Sequence, residues 1–502
     1  MKAISRRDFI KASKAVAGMM VLYPEKRIGA DTIASDSRVP NDWRKHLPEP
    51  VLGVHRRWID LYYDTWRIAR ERMREYEGRT VLDTAFDPGR IWLWDTVWIS
   101  FFGIYAQGAI PAITNPMHGY DLFYKAQRKD GAIPHVWSED GKHDYDVHNP
   151  IFSMGELNYY RHTGGVERLK PALKKLDRFF DFLKGKYASG EAGLFRGFDW
   201  NNGMDNRPTS YFSIDTNCEQ AMVAAQLGKL AAIVHEDGLV TKYEKEHKTL
   251  EASINDRMWS SPDRFYTDCD KELNPVNVWS VASFWALLSK VAGIERARHL
   301  KEHLMDPDNF KRPFMVPTLG RKSRWYDGNG GNYWRGAVWV PTNVMVIKGL
   351  VEYGYLKEAR EIAINGLEGI CKTWENTGTL HENYDQEVPG RPGEKSKADF
   401  VGWSGTQPIA TLIEDVIGIL PNAPENRISW KLGLIEKNGI RRLKWGRNYS
   451  KEVDLIAEAR THPDAPAVLH VRTNSPFLLD VHCGSRKKTI DIREPGRYTV
   501  TV

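Results

Sequence analysis

A mainly α fold is predicted for this 502-residue chain: a helical-hairpin barrel of the (α/α)6 kind, followed by a small all-β domain. Three observations carry that prediction. From about residue 50 to 420, apolar residues recur at helix spacing in about twelve segments. Long loops rich in Trp, Gly, Pro and Asn interrupt them at roughly every second connection. After Pro421 the pattern changes to short runs with β-branched residues, separated by Gly, Pro and Asn.

The helices are expected at residues 51–75, 92–107, 115–127, 149–163, 170–185, 215–236, 239–258, 275–290, 293–304, 334–353, 355–374 and 402–418. Leu173, Leu176, Phe179, Phe180 and Leu183 illustrate the pattern, with Lys and Asp between them forming a solvated face. The long loops are 128–148, 186–213, 306–333 and 375–401. Loops of that length inside a helical domain usually carry function. Twelve helices taken as six hairpins would gather such loops at one end of a closed barrel, around a single cleft. The strands are expected around Ala467–Val471, Phe477–Val481 and Tyr498–Val502. The expected organisation is therefore 31–424 for the barrel and 425–502 for a β-sandwich-like packing module.

The net charge of +6 is concentrated at the start of the chain. Residues 1–30 hold seven basic and two acidic residues, so the rest is close to neutral. A nucleic-acid-binding face is not supported. Ser5-Arg6-Arg7-Asp8-Phe9 followed by the weakly apolar stretch Ala15–Tyr23 reads as a twin-arginine export signal. That stretch is too short for a stable membrane anchor. The mature chain is expected to be exported, periplasmic or secreted, unanchored and monomeric. Cys218, Cys269, Cys371 and Cys483 are too widely spaced for a zinc site. His143-Asp144-Tyr145-Asp146-Val147-His148 lacks a third ligand cluster in sequence. No metal or organic cofactor is expected.

Two loops concentrate the candidate chemistry. Asp199-Trp200-Asn201-Asn202-Gly203-Met204-Asp205-Asn206-Arg207 sets an acid, an aromatic ring and several amides around a glycine. His381-Glu382-Asn383-Tyr384-Asp385 is the second acid-bearing loop. Sugars are held by such sets: an aromatic face covers the apolar ring face, and acids and amides take the hydroxyls. Paired carboxylates then cleave the glycosidic bond. Candidate walls are Trp92, Trp94 and Asp95 at a helix start, Trp334, Arg335 and Trp339 after the run Gly328–Gly331, and Trp403. Trp200, Asn202, Gly203 and Tyr384 complete the set. Each Trp taken alone serves a core as well as a ligand. Asp205 alone also reads as a helix-capping turn, and Glu382 alone as surface loop.

In order, Trp-x-Trp-Asp, Trp-Asn-x-Gly-Met-Asp-Asn-x-Pro, Tyr-Trp-Arg-Gly-x-x-Trp, Glu-Asn-Tyr and Gly-Trp-Ser resemble glycoside hydrolase family 63 over about residues 85–418. They resemble the bacterial mannosylglycerate hydrolases of the same six-hairpin group more closely still. The resemblance implies an (α/α)6 barrel and inversion at the anomeric carbon. It also implies Asp205 as general acid, Glu382 as general base, and sugar contacts at Trp92, Trp94, Asp95, Trp334, Trp339 and the Gly203 backbone. Arg207 stands where many relatives carry Ser, and Asn201 and Asn202 where others have Asp or Ser.

The reading is an inverting, exo-acting α-glycosidase on a carbohydrate substrate, with glucosides ahead of mannosides. Asp205 is expected to stay protonated and Glu382 ionised near neutral pH. Alternatives are a mannosylglycerate-type or other α-mannoside hydrolase, or a non-hydrolase on the same barrel: a polysaccharide lyase, a sugar epimerase or an inactive sugar binder.

Overall fold

Twelve helices alternate between an outer and an inner position in the computed structural model, which describes residues 43–82, 88–106, 115–148 and 150–502. The described residues belong to one compact unit. The export-signal residues lie outside the described ones. No helix among the described residues is long and apolar enough to cross a membrane.

The outer helices are Arg56–Glu71, His118–Lys125, Leu169–Tyr187, Asp237–Arg257, Ile294–Leu304 and Leu356–Thr377. Each buries one stripe and presents charge on the other, as Leu169–Tyr187 does with Leu173, Leu176, Phe180 and Leu183 inward. The inner helices are Leu93–Gly103, Phe152–Thr163, Ile214–Ile233, Trp285–Leu288, Val340–Glu352 and the π-helical Gln407–Ile417. They are largely buried because protein covers them on most sides, and polar residues such as Glu156 and Glu219 are buried within them. All eleven residues of Leu93–Gly103 are buried. Each inner helix packs on the next, and Gln407–Ile417 returns to Leu93–Gly103, so the ring closes. Gly349 permits one of these contacts: a Cβ there would come within 2.8 Å of the Leu287 Cβ.

The long connections all run from an outer helix into the next inner one. They therefore gather at the N-terminal ends of the inner helices. That end of the ring offers backbone N–H groups and the positive ends of the helix dipoles.

Four helices start about five or six residues later than the sequence expectation, each for a local reason. The first helix begins at Arg56 because Glu49–Leu52 is a strand. The 275–290 segment keeps only Val281–Leu288 helical, because Pro275–Val276 pairs with Asp268–Cys269. Trp334, Arg335 and Trp339 precede their helix, which starts at Val340 with Pro341 in its first turn. The last begins beyond Trp403, after the 3-10 turn Ser404–Thr406.

The β region contains two sheets. One orders Glu49–Leu52, Asn438–Trp445, Lys451–Ala457, Val468–Thr473 and Gly496–Thr501 as antiparallel neighbours. The other orders Ile419–Asn422, Arg427–Leu432, Phe477–Cys483 and Arg486–Ile492, with a parallel central pair. Strict alternation of buried and exposed residues in Val468–Thr473 is what the sequence pattern anticipates. The first strand of the larger sheet comes from ahead of the helices, a pairing that no local pattern announces. The four cysteines are buried free thiols.

Candidate active site

The loops gathered at the N-terminal ends of the inner helices enclose a cleft of about 300 Å3. Asp205 and Glu382, some 180 residues apart in sequence, both line it. Trp92, Trp94, Asp95, Trp200, Gly203, Trp334, Trp339 and Trp403 line it as well.

The Asp205 loop is held in an uncommon backbone conformation. Asp199–Gly203 forms a tight turn in which Trp200, Asn201 and Asn202 all have φ between 50° and 55°, in the left-handed region. L-residues rarely occupy that region consecutively, and the cost must be met by surrounding contacts. Trp200 Nε1–H donates to Asp146 at 2.8 Å, leaving the ring 60% exposed at the cleft. Asn202 Nδ2 donates to Glu219 at 2.8 Å. Asn201 Nδ2 donates to the Asp205 carbonyl at 2.7 Å.

Below the loop lies a fully buried guanidinium. Arg207 pairs with Asp215 at 3.0 Å and Asp268 at 3.2 Å, and donates to Ser213 at 2.8 Å. Asp268 in turn accepts from the Ile214 N–H at 2.9 Å, at the start of an inner helix. Arg207 therefore supports the loop from behind rather than reaching a ligand.

Glu382 is fixed through its backbone. Its N–H donates to the Lys397 carbonyl at 2.9 Å, and its own carbonyl accepts Trp403 Nε1–H at 2.8 Å. One carboxylate oxygen accepts the Tyr333 hydroxyl at 2.9 Å.

The tryptophans form one connected wall. Trp334 and Trp339 stack at 3.8 Å between centroids, and Trp94 and Trp403 pack on them at 5.5–6.0 Å. Core and cleft are thus the same rings: their bodies are buried, and the cleft meets the remaining faces.

Three sequence-predicted positions do not line the cleft. Asn202 is buried and turned to Glu219. Arg335 Nε donates to the Asn206 carbonyl at 3.2 Å. Tyr384 is buried behind the Glu382 loop, where its hydroxyl accepts the His381 N–H at 3.2 Å and its backbone pairs with Val338. Conversely, Tyr333, His135, His148 and Lys397 line the cleft without having been singled out as sugar contacts. Tyr333 adjoins a named motif. His135 and His148, whose rings lie 4.6 Å apart, come from the loop that reads from sequence as a weak metal motif and its flank. Lys397 sits in an anonymous charged stretch and carries no sequence signal.

Burial pushes the Glu382 carboxyl up from 4.5 to about 7, against the opposing charge of Lys397 and the Tyr333 hydrogen bond. Asp205 opens to the cleft, and the surrounding walls still raise it from 3.8 to about 6. Both carboxyls are thus held toward the protonated form, whereas the sequence expectation makes Asp205 alone the readily protonated one. Glu382 is the more deeply buried, at 1% exposure, and burial dominates both shifts. Burial also lowers His135, favouring the neutral ring that can both donate and accept.

Residues 92–389, more than half the chain, match the family described as the mannosylglycerate hydrolase MGH1-like glycoside hydrolase domain. An uncharacterized protein of Borreliella burgdorferi is 28% identical over 368 residues, covering 70% of this chain and 76% of that protein. A probable mannosyl-oligosaccharide glucosidase of Schizosaccharomyces pombe is 21% identical over 405 residues, covering 70% and 46%. Among solved structures, the GH63 mannosylglycerate hydrolase of Thermus thermophilus in complex with glucose aligns with a TM-score of 0.56 at 21% identity, covering 70% of this chain and 98% of that one. With Asp205 and Glu382 in one aromatic cleft of a closed helical barrel and a family match across that barrel, the chain belongs to the MGH1-like glycoside hydrolase family and is a glycoside hydrolase.

Proposed function

We propose that Asp205 is the general acid and Glu382 the general base of an exo-acting hydrolysis of α-glucosides, with α-mannosides the next class. The observation that carries the assignment is that both carboxyls line one aromatic cleft and are both raised toward neutrality. Asp205 donates its proton to the glycosidic oxygen as that bond breaks. Glu382 takes a proton from water attacking the anomeric carbon from the opposite face. The leaving sugar departs as the alcohol, and both acids return to their starting states after one proton exchange with solvent.

The tryptophan wall covers apolar ring faces, so remote binding energy can support distortion at the reacting carbon. In this reading residues 31–424 carry the chemistry, and residues 425–502 form a packing module. The Arg6-Arg7 segment directs export to the periplasm or beyond, and the mature enzyme acts as a monomer.

Proton NMR of the reaction on a panel of α-linked gluco- and manno-disaccharides tests the assignment. The first-formed sugar is expected to be the β-anomer, and Asp205→Asn is expected to abolish its formation. A first-formed α-anomer would overturn the acid and base roles.

The pH dependence is a second expectation. The productive form has Asp205 protonated and Glu382 ionised. Because burial raises both carboxyls, that form shares the singly protonated free site with its opposite, in which Glu382 carries the proton. A plot of kcat/KM against pH should therefore be a narrow bell, with apparent limbs near 6 and 7 that belong to the pair. A flat profile from pH 5 to 8 would contradict it.

A further inference from the structure

The segment that carries Tyr333 is strained. Asn332 has φ 35°, and Tyr333 has φ 69° with ψ −107°, an unfavourable conformation for a bulky aromatic residue. Two features hold it. The chain doubles back tightly: Gly331 accepts the Arg335 N–H at 3.0 Å, and a Cβ on Gly331 would lie 1.9 Å from the Ala337 nitrogen. The second is a single side chain from another loop. Asn206 Oδ1 accepts the Trp334 N–H at 2.9 Å, and Asn206 Nδ2 donates to the Asn332 carbonyl at 2.8 Å. These bonds bracket Tyr333, one residue on either side. Arg335 Nε adds a bond to the Asn206 carbonyl at 3.2 Å.

Asn206 directly follows Asp205, and the Tyr333 hydroxyl donates to Glu382. One amide therefore joins the loop of the acid to the residue that holds the base. We propose that Asn206 is a positioning residue that fixes the two carboxyls relative to one another, acting through Tyr333, which orients Glu382. The proposal rests on the acid and base assignment above. Its physical content is that a small displacement of either carboxyl costs rate far more than affinity, because the attacking water and the glycosidic oxygen must be met together.

The test is a double-mutant cycle on the full chain, with Asn206→Ala, Tyr333→Phe and their combination. An α-glucoside or α-mannoside active in the NMR panel serves as substrate. Each single change is expected to lower kcat by roughly 10- to 100-fold, with KM changed less than about threefold. The double variant should be no slower than the slower single, because both act on one linkage. Both singles should also shift the kcat/KM profile upward in pH, since the Tyr333 hydrogen bond lowers the Glu382 pKa. Tyr333→Phe keeps ring and backbone in place, so it reads the linkage even if Asn206→Ala folds poorly.

Fully additive losses would overturn the proposal, as would a wild-type pH profile in Asn206→Ala or a Tyr333→Phe enzyme with wild-type kcat. Asp205→Asn and Glu382→Gln are measured alongside. If those two remain active, the acid and base assignment fails. If they are inactive while the Asn206 and Tyr333 variants are normal, only the positioning role fails.

Discussion

Glu382→Gln is expected to lower kcat by about 10²–10⁴-fold and, at the same time, to remove a pH-dependent weakness of the folded protein. The first effect follows from losing the group that takes the proton of the attacking water. The second follows from burial. Glu382 titrates near 7 in the folded chain and near 4.5 when unburied. Between those values the folded state holds a proton that the unfolded state has lost, so stability falls as pH rises through this window. Below about 4.5 both states are protonated and nothing is lost. Above about 7 the full penalty of about 3 kcal/mol is present.

Gln carries no charge and escapes this dependence. It does place an amide opposite the Tyr333 hydroxyl and the Lys397 N–H, which sets its own constant offset. The diagnostic is therefore the difference in melting temperature between pH 5 and pH 8, measured for both proteins. Wild type should lose more on going to pH 8 than Glu382→Gln does. Parallel curves would mean that Glu382 is ionised without cost, and the raised carboxyl would have to be abandoned.

The second large effect is expected at Arg207, far from solvent and behind the acid. Arg207→Met keeps much of the volume but removes the cation between Asp215 and Asp268. Breaking a buried pair while leaving its partners in place costs about 3–5 kcal/mol. The loss should depend on pH. Burial already raises Asp268, with the Arg207 charge opposing it. Without that charge Asp268 favours its protonated form further, so the deficit is smallest in mild acid and grows as pH rises toward 8. Denaturant unfolding at pH 5 and pH 8 measures both numbers. Activity should fall as well, because Asp268 anchors the start of the Ile214–Ile233 helix and the Ser210 N–H in the loop behind Asp205. Wild-type stability in Arg207→Met would mean that the cluster neither holds the loop nor suffers from unbalanced charge.

Arg207 also illustrates how residue type can mislead. In sequence it stands beside an acid in a loop rich in amides, and reads as one more donor for a ligand. Its guanidinium is buried because Asp268, far along the chain, folds beneath it. Tyr384 is similar. Its neighbours suggest a group beside the carboxylate, but a strand-like pairing with Val338 turns it behind the loop. Strand pairing and ion clusters across long separations leave no trace in a local window.

What the sequence determined alone is what depends on near neighbours. The 3.6-residue period sets which helix faces are apolar, and the two-residue period sets the strands, so twelve helices and the late β region were legible. The Asp205 and Glu382 loops were legible too, because each carries its acid among aromatic and amide residues within ten positions. Tertiary structure alone decided which of these side chains meet. Ring closure brings Trp92, Asp205, Tyr333, Glu382, Lys397 and Trp403 into one cleft from four separate inter-helix connections. It also decided how strongly both acids are held toward their protonated forms. A carboxyl's pKa follows the water it loses, and that is fixed by what other parts of the chain are folded over it.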